Sequence, residues 1–190
     1  MSYLTDEQMN ACGFRHLGRH VKISDKASIY DPERISIGDY SRIDDFCVVS
    51  GNLVIGSYCH ITPMCLLAGG LPGIELADFC TLAYGVKIFA QSDDYSGQTL
   101  TNSLIPKKYK NEILQLVRLG RHVIVGAGSV IFPGADIAEG CAIGAMSLIR
   151  TSTKAWGMYA GIPARRIKER SRNLLELELQ CRSELNPSSD

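Results

Sequence analysis

Residues 119–149 read LGRHVI VGAGSV IFPGAD IAEGCA IGAMSL I, and an aliphatic side chain returns at every sixth position of this stretch. The anchors are Leu119, Val125, Ile131, Ile137, Ile143 and Ile149. An α-helix of 3.6 residues per turn cannot keep positions six apart on one face, whereas three short strands per coil of about eighteen residues can. The stretch therefore predicts an all-β fold, a parallel β-helix whose anchors point into a three-sided prism.

The same spacing recurs upstream, with short slips between blocks that we interpret as loops. These anchors are Ile37 and Ile43, then Ile55, Ile61 and Leu67, then Leu76, Leu82 and Ile88. The repeat is interrupted between Ile88 and Leu119, where the chain is polar at first. We therefore predict a β-helix domain over residues 21–162, with a loop over 91–116 extruded from the prism.

Small side chains predominate four positions after each anchor, and five of the seven cysteines lie in that register. They are Cys47, Cys59, Cys65, Cys80 and Cys141. The number of cysteines is odd and no Cys-x-x-Cys pair occurs, so we expect small buried side chains rather than disulfides or metal ligands. No metal site is predicted.

Glycine directly follows several anchors, and we expect it to adopt the positive φ of the corner turns. These glycines are Gly38, Gly56, Gly120, Gly126 and Gly144.

Both ends of the prism are expected to be covered, because an open β-helix end exposes strand edges. Residues 1–20 form the predicted N-terminal cap segment, in which Thr5 to Gln8 fits a capping box for a short helix. Residues 163–190 are predicted as a C-terminal helix and tail, helical from Ala164 to about Arg182 and disordered over 186–190.

Charge and composition exclude some partners. Twenty basic and twenty acidic residues cancel among 190, so no overall field attracts nucleic acid or anionic lipid. No apolar run reaches the roughly 18 residues that span a bilayer, and the first residues lack the basic and apolar regions of a signal peptide. We expect a cytoplasmic protein with no nucleic-acid or membrane partner.

Residues from about 20 to 168 resemble the left-handed β-helix acyltransferases of the hexapeptide-repeat superfamily. The repeat carries this resemblance, together with the run Gly161-Ile162-Pro163-Ala164-Arg165, which is similar to the segment that ends the prism in acetyl-coenzyme A enzymes. The left hand is implied by the resemblance and not by the spacing. The resemblance also implies a homotrimer with sites between prisms, and acetyl-CoA or another acyl-CoA as co-substrate, with no permanently bound cofactor.

The start of the extruded loop separates two reaction classes. In sugar O-acetyltransferases of this superfamily the base is a histidine at this place, whereas residues 89–97 here read FAQSDDYSG. A hydroxyl needs such a base, but a neutral amine already carries an attacking lone pair. The residues therefore favour an N-acyltransferase.

Residues 92–97 also resemble those of N-acyltransferases that act on dTDP-linked 4-amino-4,6-dideoxyglucose. This implies a nucleotide-linked amino sugar as acceptor and Asp94 as the catalytic residue, with an Asx cap on the loop turn as the alternative. We expect Asp93, Tyr84 and Glu75 to contact the acceptor unless they are ordinary surface residues. His60 and His122, interpreted as corner residues pointing towards a neighbouring prism, are candidates for acceptor binding or for the missing base.

For the co-substrate, the resemblance implies that pantetheine lies along two Gly-Ala corners, Gly126-Ala127 and Gly144-Ala145. The coenzyme A phosphates need cations, and Arg165, Arg166 and Lys168 form the matching basic cluster unless they are a solvated face.

Three other functions share the prism. A sugar O-acetyltransferase would use His60 or His122 as base. A carbonic anhydrase of this fold would need three histidines around zinc, and the four in the chain are poorly spaced for it. A non-catalytic assembly scaffold would not need the Gly-Ala corners or the basic terminus.

Overall fold

The computed structural model describes residues 2–185 and confirms a parallel β-helix with an α-helix at each end. The predicted tail over 186–190 lies outside the described residues. Helix α1 spans Asp6–Ala11, helix α2 spans Leu174–Leu185, and two short 3₁₀ helices span Pro32–Arg34 and Lys107–Tyr109.

Three parallel sheets form the sides of the prism, and each coil contributes one strand to each sheet in the order A, B, C. Sheet A contains β1 (His16–Leu17), β4 (Ile35–Ile37), β7 (Leu53–Ile55), β10 (Ile74–Leu76), β15 (Val117–Leu119) and β18 (Asp136–Ile137). Sheet B contains β2 (Lys22–Ile23), β5 (Arg42–Ile43), β8 (His60–Ile61), β11 (Thr81–Leu82), β16 (Ile124–Val125), β19 (Ala142–Ile143), β21 (Gly157–Gly161) and β22 (Ala164–Glu169). Sheet C contains β3 (Ser28–Ile29), β6 (Val48–Ser50), β9 (Leu66–Ala68), β12 (Lys87–Phe89), β17 (Val130–Ile131) and β20 (Leu148–Ile149).

We number the coils 1 to 7 by the successive strands of sheet B from β2 to β21. The extruded loop leaves after β12 in coil 4 and returns at β15 in coil 5. Its stem is a short antiparallel pair of β13 (Gln91–Ser92) and β14 (Ile113–Leu114). The first coil already begins at His16, ahead of residue 21.

The core is the stack of anchors, which are almost completely buried in every coil. The five cysteines of the repeat are buried beside them with free thiols, as predicted. Their thiols donate to backbone carbonyls of the next coil, as Cys47 does to the Thr62 oxygen at 3.1 Å. Packing therefore explains the cysteine register.

The expected reason for the corner glycines is wrong. The glycines that follow the anchors do not adopt positive φ, which occurs two residues later, as at Tyr58 and Met146. Instead the coils approach too closely for a side chain: a Cβ on Gly126 would lie 2.4 Å from the Ala145 nitrogen, and one on Gly56 would lie 2.7 Å from the Asp78 nitrogen. The spacing between coils selects glycine here.

The positive-φ residues at the corner between sheets A and B form a ladder of stacked rings. His20, Tyr40, Tyr58, Phe79 and His122 follow one another with ring centroids 4.8, 5.0, 4.8 and 5.1 Å apart. Offset stacks of this spacing add stabilisation beyond burial. His20 thus belongs to the repeat, although the sequence placed it before the first coil.

The N-terminal cap follows the sequence closely. The Thr5 hydroxyl accepts from the Gln8 amide at 3.2 Å, and the Gln8 side chain accepts from the Thr5 amide at 2.9 Å. Met9 is buried against the core, and Leu4 packs beside it. This closes the first coil as a capping box with a hydrophobic staple.

The C-terminal prediction is wrong between Ala164 and Arg170. Residues Ala164–Glu169 form strand β22, which pairs antiparallel with β21, and helix α2 begins only at Leu174. Because β21 is the last parallel strand of its sheet, its outer edge needs a partner, and the chain turns back at Ile162-Pro163 to supply it.

Candidate active site

Asp94 is held at the start of the extruded loop by a network of short hydrogen bonds. The Ser96 amide donates to Asp94 Oδ1 at 2.8 Å, and the hydroxyls of Ser96 and Thr99 donate to Oδ2 at 2.9 Å each. The amide and hydroxyl of Ser96, followed by the Thr99 hydroxyl, lower the pKa of the Asp94 carboxyl. The carboxylate is therefore ionised near neutral pH, and it also caps the loop turn.

Two cavities adjoin at this turn. One of about 500 Å³ is lined by the loop itself, including Asp93, Asp94 and Tyr95. The other, of about 440 Å³, shares these residues and reaches Phe132 and Arg150 on the prism. The loop carboxylates thus face an arginine of coil 6.

A column of backbone groups runs along the corner between sheets B and C. The Gly128 amide donates to the Tyr84 oxygen at 2.9 Å, and the Met146 amide donates to the Ala127 oxygen at 2.8 Å. Tyr84, Ala127 and Ala145 therefore occupy equivalent places in coils 4, 5 and 6, and we call their backbone N–H groups the amide column. Within residues 2–185 their own amides donate no hydrogen bond, so three successive donors are left for a ligand.

The basic cluster is divided between two places. Arg165 lines a cavity of about 280 Å³ with Arg150 and Pro163. Arg166 instead binds Glu169 at 2.6 Å. Across the described part of the chain, neither Arg150 nor Arg165 has a carboxylate in ion-pair distance, and the same holds for Lys168. Two unneutralised guanidinium groups in one cavity suit a phosphate.

Arg150 is a candidate site residue that the sequence did not predict. It follows β20 directly and lies 6.0 Å from the Phe132 ring centroid, and it lines both the loop cavity and the terminal cavity. A basic residue after an anchor is no signal on its own. Only the return of the chain at Pro163 places Arg165 beside it.

The predicted corner position of His60 is wrong. His60 lies on strand β8, where its Nε2 is 2.9 Å from Asp44 Oδ2. Asp44 is 2% exposed and also accepts from Arg42 Nη2 at 3.0 Å. This network orients the imidazole on the outer face of sheet B.

His122 does not point towards a neighbouring prism. It is 7% exposed, stacked on Phe79, and its Nε2 lies 2.7 Å from Glu178 Oε2 of helix α2. The residue attaches the C-terminal helix to the prism, which removes it as a candidate base.

Glu75 and Tyr84 belong to the same coil but not to the same surface. Glu75 lies on the face of sheet A and binds Arg118 at 3.0 Å, whereas Tyr84 lies at the corner between sheets B and C and is 62% exposed. A ligand on the amide column reaches Tyr84 and not Glu75.

Asp94 and the amide column flank sheet C on opposite edges. The loop leaves the prism between sheets C and A, and the column lies between sheets B and C. From Ala127 to Pro133 the chain crosses this side in six residues, or roughly 20 Å. One copy of the chain therefore does not bring the carboxylate to the column.

The whole chain is similar to enzymes that acylate an amino sugar. It is 41% identical over 181 residues to a dTDP-4-amino-4,6-dideoxy-D-glucose acyltransferase from Escherichia coli, covering 94% of each chain. The chain belongs to this acyltransferase family. Among solved structures it matches AntD, an N-acyltransferase from Bacillus cereus in complex with dTDP and 3-hydroxybutyryl-CoA, at 45% identity and a TM-score of 0.95, over 97% of this chain and 98% of that one.

The present chain also matches a variant of AntD in complex with dTDP-4-amino-4,6-dideoxyglucose and coenzyme A. The identity is 46%, the TM-score 0.95, and the coverage 96% of this chain and 98% of that one. A maltose O-acetyltransferase from Clostridium difficile shares the fold alone, with 20% identity and a TM-score of 0.57 over 89% of this chain and 79% of that one. No protein-family model matches the chain.

The described residues also bear on metal binding and on membrane insertion. Within the described range no group of three or more His, Cys, Asp or Glu residues could hold a metal ion. No helix found between residues 2 and 185 has the length and apolar character to cross a bilayer.

Proposed function

We propose that this acyltransferase transfers an acyl group from acyl-CoA to the amine of a dTDP-linked amino-deoxysugar. The observation that carries the proposal is the near full-length similarity to an acyltransferase for dTDP-4-amino-4,6-dideoxyglucose. The loop supports it, because the carboxylate of Asp94 stands where hydroxyl-acylating relatives would need a histidine.

Asp94 orients the amine rather than deprotonating it. A carboxylate with a lowered pKa is a weak base, but it offers about four acceptor sites, and the loop uses three of them. A remaining site on Oδ1 accepts an N–H from the sugar amine. The neutral nitrogen then attacks the thioester carbonyl carbon, the C–N bond forms, the C–S bond breaks, and the leaving thiolate takes the proton from nitrogen.

Coenzyme A lies along the corner between sheets B and C in this proposal. The unpaired amides of Ala127 and Ala145 bind the carbonyls of the pantetheine arm, with Gly126 and Gly144 allowing the close coil spacing. Arg150 and Arg165 bind phosphate at the terminal end. Arg166 and Lys168, assigned to the same phosphates from the sequence, lie further along β22; Lys168 contributes through long-range charge, whereas Glu169 balances the charge of Arg166.

The acceptor lies between the loop and the prism. Asp93 lines both cavities beside Asp94 and is available to the sugar hydroxyls or the amine. His60 lies on the face of sheet B, where a nucleotide or sugar bound by a neighbouring loop would pass. Glu75, engaged by Arg118 on sheet A, has the weakest support as an acceptor contact.

A homotrimer supplies the missing half of the site. Because Asp94 and the amide column flank sheet C about 20 Å apart, the carboxylate must come from the loop of a second copy. That loop exposes apolar side chains that a partner would cover, among them Tyr95 at 90% and Leu104 at 89%. Light scattering should give three times the chain mass of 20.8 kDa; a monomer with full activity would contradict the shared site.

Both proposed substrates are cytoplasmic metabolites, and for that reason we place the enzyme in the cytoplasm. This assignment rests on the proposed substrates alone.

The test is thiol release from acetyl-CoA with a panel of dTDP- and UDP-linked 3-amino and 4-amino deoxysugars, and with their hydroxyl counterparts as matched controls. We expect release with a dTDP-linked amino sugar and none with its hydroxyl counterpart. Release with hydroxyl acceptors alone would favour O-acylation, with His60 held by Asp44 as the base. Silence with every acceptor, from acetyl-CoA and from butyryl-CoA alike, would contradict an acyltransferase.

A further inference from the structure

We infer that Tyr84 limits the length of the acyl group, so that the enzyme uses acetyl-CoA in preference to longer thioesters. The inference rests on the proposed function and gives Tyr84 a role distinct from the acceptor contact expected from the sequence. Its basis is the place of Tyr84 in the corner column, the length of the pantetheine arm, and what lies beyond Tyr84.

Tyr84 ends the run of small corner residues. The column reads Ala145 in coil 6, Ala127 in coil 5 and Tyr84 in coil 4, in hydrogen-bonded succession. At the following position of the same corner, the Met146 side chain lies over Gly128, with its sulfur 2.5 Å from where a Cβ on Gly128 would be, whereas a Cβ on Gly85 would meet no atom within 4 Å. That position is therefore covered beside Ala127 and open beside Tyr84, whose side chain is the first bulky group of the column.

The pantetheine arm is long enough to place its sulfur at coil 4. Between the phosphate oxygen and the sulfur it contains about twelve covalent bonds, as many as four residues of extended chain, or about 14 Å. The cavity of Arg150 and Arg165 lies between coil 6, which supplies Leu148 and Arg150, and the turn after β21 of coil 7, which supplies Pro163 and Arg165. Three steps from coil 7 to coil 4, each of about 4.8 Å, also give about 14 Å.

An apolar surface continues beyond Tyr84 in the direction in which an acyl chain would grow. The column itself continues through Pro63 and Asp45, and the position after it, held by Gly85 in coil 4, is held by Met64 in coil 3 and Phe46 in coil 2, which are 64% and 57% exposed. The Gly85 amide donates to the Pro63 oxygen at 3.1 Å and the Met64 amide to the Asp45 oxygen at 3.0 Å, so the corners remain in register. Removing the ring of Tyr84 would open this surface to a longer acyl chain.

The experiment compares kcat/KM for acetyl-CoA and butyryl-CoA in the wild type and in Tyr84→Ala, Tyr84→Leu and Tyr84→Phe, with a saturating amino-sugar acceptor. Tyr30→Ala is the matched control, since Tyr30 is 58% exposed and lies in coil 1. We expect the wild type to prefer acetyl-CoA by at least about tenfold, as a sterically limited pocket does. Tyr84→Ala should reduce that preference at least about tenfold, Tyr84→Leu partly, and Tyr84→Phe and Tyr30→Ala not at all.

Each other result overturns the inference. An equal acetyl preference in Tyr84→Ala and the wild type would show that the ring does not limit the acyl group. A loss of turnover in Tyr84→Phe with selectivity unchanged in Tyr84→Ala would assign the hydroxyl to the acceptor instead. No thiol release from either thioester in the wild type would defeat the proposed function itself, so the two failures are distinguishable.

Discussion

Helix α2 depends on one carboxylate, and replacing Glu178 by alanine tests this. Glu178 accepts from Arg121 Nη2 at 2.6 Å, from His122 Nε2 at 2.7 Å and from Arg182 Nε at 2.7 Å, although its side chain is 8% exposed. Two leucines of the same helix, Leu177 and Leu179, are 54% and 71% exposed. A helix of twelve residues is marginal alone, so this polar cluster must hold it.

The expected loss of docking free energy depends on how much hydration the former partners of Glu178 regain. Breaking a buried ion pair costs about 3–5 kcal/mol when the remaining charge stays dry. Here Arg121 and Arg182 keep 43% and 39% of their side chains exposed, so water replaces part of the loss, and only His122 is left buried. We expect Glu178→Ala to cost about 2–3 kcal/mol of docking free energy for α2. This value lies between the loss of one hydrogen bond to a charged group and the full cost of breaking a buried ion pair.

Hydrogen exchange of the peptide covering residues 174–185 measures this directly. At about 1.4 kcal/mol per factor of ten, protection should fall roughly thirty- to hundredfold. Glu176→Ala is the matched control, because Glu176 is exposed on the same helix and lacks an ion pair among the described residues. Equal protection in the two variants would refute the reasoning.

Acid gives a second readout of the same contact. Burial alone would raise the pKa of the Glu178 carboxyl, but hydrogen bonds from Arg182 and His122 outweigh it, and the pKa is lowered. A depressed folded-state pKa contributes stability above the unfolded value, near 4.3, that is lost as pH falls through the folded value. The protection of α2, relative to the intrinsic exchange rate at each pH, should therefore fall below about pH 4 in the wild type, while Glu178→Ala should lack this acid step.

Two further substitutions address the site. Asp94→Asn should lower turnover at least about tenfold, because a side chain with one oxygen cannot accept from the Ser96 amide and from the two hydroxyls at once, or hold the sugar amine equally well. KM for acyl-CoA should stay unchanged in thiol-release assays; normal turnover would leave Asp94 as a loop cap only. Arg150→Ala should raise KM for acyl-CoA about tenfold, the loss of one charge-assisted hydrogen bond to phosphate, and the acceptor KM by less, because Arg150 also lines the loop cavity. Arg34→Ala, an exposed arginine of the first coils, should leave both constants unaltered, and an equal effect in the two arginine variants would place the phosphates elsewhere.

The sequence predicted the features that repeat or that are local. The anchors recur every six residues in all coils, so their signal accumulates, and the capping box of Thr5 and Gln8 is complete within four positions. The predicted helix after Ala164 was wrong because Ile167 and the later leucines fit a helix equally well. The deciding factor was the free edge of β21, which the local sequence does not reveal. The predicted orientation of His122 was wrong for the same reason, since its partner Glu178 lies 56 residues away in the chain.

The candidate site was predicted least completely because it depends on two features that local sequence does not contain. One is the turn at Pro163 that brings Arg165 beside Arg150, and the other is the corner of the prism at which each residue lies. Glycine follows the anchor at Gly38 as it does at Gly126, and both are forced by coil spacing: a Cβ would lie 2.7 Å from the Gly56 carbonyl carbon in the first case and 2.4 Å from the Ala145 nitrogen in the second. Gly38 stands at the corner between sheets A and B, where stacked rings cover the corner, whereas Gly126 stands at the corner between sheets B and C, where small alanines carry the unpaired amides of coils 5 and 6. A glycine corner therefore identifies a tightly stacked coil; a coenzyme A track needs in addition small neighbours and two arginines at its end, and of the corners that the structure describes the one between sheets B and C meets both conditions.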